Sequence, residues 1–82
     1  MQDPIVIVVP AQGAWRVRVE GDQDLQAFAE RYCALECAHR WAQAHRPSLV
    51  RVIATNGAVE DEWAYGAFKG IRRVGGLENV LQ

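Results

Sequence analysis

The chain has 82 residues, nine Lys and Arg against ten Asp and Glu for a formal net charge of −1, and half of its residues are hydrophobic. That length makes one domain, near the size at which folding buries only about 60 to 65% of the unfolded surface, and the composition suits a packed core rather than a disordered chain. The balanced charge excludes a global field for nucleic acid or anionic membrane, and no apolar run approaches the roughly 18 residues that span a bilayer. The start, MQDPIVIVVP, carries no basic leader or small-residue cleavage site, so a soluble cytoplasmic protein is expected.

Ile5 to Val9 are five β-branched residues in a row, which favours a strand covered on at least one face. Pro10 to Gly13 has turn chemistry, and from Ala14 to Glu20 the pattern alternates, Trp15, Val17 and Val19 against Arg16, Arg18 and Glu20. A β-hairpin follows, its valine and tryptophan side inward and its arginine side outward. Gly21 to Asp24 is a second turn, after which LQAFAERY (25–32) fits a third strand or the first turns of a helix.

From Ala34, apolar residues recur at helical spacing through Cys37, Ala38, Trp41 and His45, and Arg46-Pro47 ends the helix. Leu49 to Thr55 alternates again, Val50, Val52 and Ala54 against Leu49, Arg51 and Ile53, and Asn56-Gly57 predicts a type I′ hairpin turn into a strand from Ala58 to Trp63. The fold expected is α+β: an antiparallel sheet in the order ββ(β)αββ with one amphipathic helix on one face, residues 1–66, and a loose or partner-ordered extension, residues 67–82.

The segments IVIVVPAQGAWRVRVEG, ALECAHRWAQAH and LVRVIATNGAVEDEWAYG resemble a bacterial domain-of-unknown-function family, number twenty-one eighty-eight. Its pattern falls on Val8 and Pro10, Gly13 and Trp15, Ala34, Ala38 and Ala42, Gly57 and Val59, and Tyr65-Gly66, covering residues 5–66. The resemblance implies this fold and no established activity. The acidic run Glu60, Asp61, Glu62 departs from the more basic family pattern, and the chain from Ala67 onward has no counterpart in it.

Five groups of residues are candidates for function. Arg16, Arg18 and Arg51 share an outward face, joined by Lys69, Arg72 and Arg73, and could contact anions or nucleic acid; the plainer reading pairs them with acidic neighbours. Cys33, Cys37, His39 and His45 do not make a metal site, because Cys37 and His39 stand about 200° apart around a helix; reduced thiols packed in the core are expected. Nor is there an electropositive cleft and orienting group for a cysteine nucleophile, so no enzyme and no cofactor is expected.

Glu60, Asp61 and Glu62 on a strand point alternately to two sides and read as a solvated strand end. Three tryptophans exceed what a small core needs, and Trp63, Tyr65 and Phe68 are the candidate interface. The function expected is therefore a non-enzymatic interaction module, a homodimer or an accessory protein of another macromolecule. The alternative is a nucleic-acid-binding domain using the arginine face and the basic extension.

Overall fold

The computed structural model describes residues 3–21 and 24–74. Strand β1 (Ile5–Ala11) turns into β2 (Ala14–Val19), which pairs with β3 (Asp24–Phe28); helix α1 (Arg31–Ala44) leads to β4 (Ser48–Ile53), β5 (Val59–Tyr65) and β6 (Ile71–Arg73). The six strands form one sheet in the order β3-β2-β1-β4-β5-β6. The stretch 25–32 resolves both ways: Leu25 to Phe28 complete β3, and the helix begins at Arg31.

Because β1 and β3 run in the same direction, α1 starts at the far end of β3 and carries the chain back, so that β4 lies parallel to β1 with Ile5 beside Leu49 and Ile7 beside Arg51. The α+β class and its single covering helix stand, and four of the five strand pairings are antiparallel. The all-antiparallel expectation is corrected at β1 and β4, since a strand that follows a returning helix re-enters the sheet in the direction of the first strand.

The two hairpin turns exchange the chemistry that their sequences suggest. Gln12 and Gly13 both adopt positive φ, 51° and 79°, giving the β1-β2 connection the twist of a type I′ turn. At the β4-β5 connection only Gly57 does so, at 89°. There the Gly57 N–H donates to the Ala54 carbonyl at 2.9 Å, the Ala54 N–H to the Ala58 carbonyl at 2.8 Å, and the Ala58 N–H to Asn56 Oδ1 at 3.0 Å. Thr55 to Gly57 is therefore a three-residue loop closed by a left-handed glycine, and the type I′ turn expected at Asn56-Gly57 is corrected.

The core lies between α1 and one face of the sheet. Val6, Val8, Val17, Val50 and Val52 are fully buried against Ala34, Ala38 and Ala42, which recur every four residues and form one stripe of the helix. Three methyl groups let the helix settle close to the sheet, and Trp15, Phe28, Leu35, Trp41 and Trp63 seal the rim. At the helix end the buried Ser48 hydroxyl donates to the Ala42 carbonyl at 2.9 Å.

Beyond Tyr65 the chain closes a tight loop, the Gly66 N–H donating to the Gly70 carbonyl at 2.8 Å, and β6 then pairs with β5. Part of the expected extension is thus a sixth strand covering the β5 edge. Leu77, Val80 and Leu81 lie outside the described residues. Among the described residues no helix is long and apolar enough to cross a membrane.

Candidate functional site

The face of the sheet opposite α1 is the candidate site. Period two puts Ile5, Ile7 and Val9 of β1 and Leu49 and Ile53 of β4 on that face, because their neighbours Val6, Val8, Val50 and Val52 point into the core. These five side chains are half-buried, and no described element packs over them. Arg18 and Arg51 flank Ile7 on its two sides, and Arg16 stands beside Val9. Long arginine stems lying along aliphatic neighbours leave the guanidinium heads in water.

These three guanidinium groups share two carboxylates. Asp24 pairs with Arg16 and, at 3.9 Å, with Arg18; Glu62 accepts from Arg51 at 2.8 and 3.2 Å. Across the strands the row through Ile7 reads Asp24, Arg18, Ile7, Arg51, Glu62, negative and positive ends cancelling around an aliphatic centre. Arg16, Arg18 and Arg51 therefore share a face as expected, with two carboxylates set among their three positive charges.

Arg72 joins the same face at the β6 edge, opposite Ala64, whereas Lys69 sits in the exposed loop before β6. Arg73 does not join: it pairs opposite Trp63 on the helix side, lies over the Trp63 ring and grips Asp61 through two hydrogen bonds. Its inclusion in the basic surface is corrected by the strand alternation that sends residues 72 and 73 to opposite faces.

The acidic run at 60–62 is not a bare solvated end. Glu60 holds Arg31 at the start of α1, Asp61 holds Arg73 of β6 and Glu62 holds Arg51 of β4, so three successive carboxylates tie β5 to three elements. Asp61 is only 7% exposed, on the helix side of the sheet.

A second polar cluster fills the gap between α1 and β5. His39 Nδ1 and the Tyr65 hydroxyl are hydrogen-bonded at 2.6 Å, and the His39 ring meets Trp63 edge-on at 4.7 Å. Burial holds the His39 imidazole below its ordinary range against the opposing pull of Asp61, and burial pushes the Tyr65 phenol up against the effect of Arg46. Arg46 lies over the Tyr65 ring and donates to the Gly66 and Gly70 carbonyls at 3.1 and 3.0 Å.

Of the candidate interface aromatics, Tyr65 is 5% exposed and belongs to the core, Trp63 packs half-buried against it, and Phe68 stands 89% exposed in the loop. An interface role for Tyr65 is thus corrected, since position 65 shares the helix-side face with 63 and 61. Cys33 and Cys37 are free thiols on α1, and burial pushes the Cys37 thiol up, away from a reactive thiolate. Among the described residues no three His, Cys, Asp or Glu side chains group as a metal site.

The aliphatic residues of the open face escape a reading that follows the arginines alone. The signal for them was the unbroken run Ile5 to Val9, since a strand apolar at every position presents aliphatic side chains to both faces.

These features define a small α+β domain with one helix-covered sheet face and one open face of aliphatic and paired ionic side chains. The chain belongs to the bacterial family described as uncharacterized protein conserved in bacteria (DUF2188), whose family model matches residues 6–65. No curated protein and no solved structure is significantly similar to it.

Proposed function

We propose that this chain is a non-enzymatic interaction module of the bacterial cytoplasm, docking on a protein surface, its own or another's, through the open face of its sheet. The observation that carries the reading is the set of five aliphatic side chains, Ile5, Ile7, Val9, Leu49 and Ile53, on a face that no described element covers. A contiguous apolar field rimmed by polar groups is the mark of a protein contact. The pairing of Arg16, Arg18 and Arg51 with Asp24 and Glu62 offsets most of their charge, which favours a protein over a polyanion that needs unneutralised cations. The two free thiols suit a reducing compartment.

Photo-crosslinking in the native host tests this. A photoreactive residue at position 7 or 49 should give adducts with protein, and one at Glu36 or Arg40, exposed on α1, should give none. Equal yields at all four positions, or no adducts at 7 and 49, would refute the reading.

A further inference from the structure

We infer that the occupant of the open face is a second copy of this chain, related by a two-fold axis that runs along the strands between β1 and β4. The inference rests on the proposal that this face is the docking surface, and adds which partner it takes and in what register.

The parallel pairing of β1 and β4 makes the face self-complementary. Such an axis sets β1 of one copy over β4 of the other and β2 over β5, while every residue keeps its height along the strands. Ile5 then meets the second copy's Leu49, and Val9 meets its Ile53, because these pairs share a level in the β1-β4 register or its continuation. Arg18 and Glu62 share the level of Ile7 and Arg51, so Arg18 of each copy faces Glu62 of the other. Both contacts occur twice, as an isologous interface requires. Ile7 is set against Arg51, whose guanidinium is already held by its own Glu62, so the aliphatic stem rather than a bare charge covers Ile7.

The size fits as well. Six strands about 4.8 Å apart and six residues of about 3.3 Å rise give a projected face of about 29 by 20 Å, or about 600 Å². Side-chain relief raises that towards the roughly 800 Å² that each partner contributes to a standard protein interface. Two sheets stacked this way sit about 10 Å apart with their strands within about 30° of alignment, an ordinary sandwich.

The test is a charge exchange read by light scattering at submillimolar concentration. Wild type should show twice the 9.2 kDa chain mass. Arg18→Glu and Glu62→Arg should each be monomeric, because each sets like charges against one another at both copies of the contact. Mixed in equal amounts, the two variants should form a heterodimer, since every clash becomes an attraction, and this recovery also shows that both are folded. A mixture that stays monomeric while wild type is dimeric would overturn the register. Monomeric wild type would overturn the second-copy inference, and the open-face reading would survive that result only if adducts at positions 7 and 49 persist with other host proteins. Salt-dependent binding of an oligonucleotide to the monomer, abolished in Arg18→Glu, would overturn both.

Discussion

The two faces of this sheet are both apolar, and they differ in the size of what they carry. Under the helix the sheet offers only valines at its centre, Val6, Val8, Val17, Val50 and Val52, and the helix answers with alanines. On the open face the same two central strands carry Ile5, Ile7, Leu49 and Ile53, one carbon larger apiece, together with Val9, all half-buried. A helix can approach a sheet closely only over small side chains, so the covered face is fixed by contact distance. The larger aliphatic groups are left where a second surface can meet them.

The strongest blow to this contrast is to enlarge the small face. Ala38→Leu inserts three carbons where the residue is fully buried beneath valines, and should cost about 3 kcal/mol in chemical denaturation, with a lower thermal midpoint. Ile7→Ser on the open face should cost less than about 1 kcal/mol in the monomer, because the site is already half wet, while halving the mass seen by light scattering. Equal losses at the two positions would mean that the faces are not distinct in kind.

A smaller effect is expected where β5 fastens β6. Asp61→Asn keeps the shape and removes the charge that holds Arg73, and should cost about 1 to 2 kcal/mol, a charge-assisted hydrogen bond at a buried acceptor. Amide exchange should show β6 losing protection while β1 and β4 keep theirs.

His39 gives a gentler dependence on pH. Its folded-state ionisation lies below the ordinary imidazole value because burial disfavours the cation, so the neutral ring contributes stability that is complete above the ordinary value. That contribution is lost as pH falls through the ordinary value towards the depressed one. Denaturation midpoints should fall across that window, and His39→Gln should flatten the fall. Smallest of all, Phe68→Ser should leave stability within about 0.5 kcal/mol, since its ring is 89% exposed; a larger loss would reveal a contact of the loop with the rest of the chain.

Much of the fold was legible. The alternation from Trp15 to Val19 sorted arginines from core residues, and the spacing of Ala34 and Ala38 placed the helix, because period-two and period-3.6 patterns are local properties of the chain. The candidate site was legible in halves. Arg16, Arg18 and Arg51 could be set on one face by alternation, but their partners could not, because Asp24 and Glu62 reach them through strand pairings distant in sequence. Arg73 was misassigned for a related reason: without knowing that β6 exists, nothing says which side of a sheet position 73 occupies.

By itself, then, the amino-acid sequence determined the class of the domain, the helix, most strand cores and the side of β2 that meets the helix, since burial acts residue by residue along a periodic backbone. Only the tertiary structure decided that β4 lies parallel beside β1, that β6 completes the sheet and that Arg16, Arg18 and Arg51 meet Asp24 and Glu62. Those outcomes depend on which strand becomes whose neighbour, a choice made by the returning path of one helix rather than by any stretch of residues read alone.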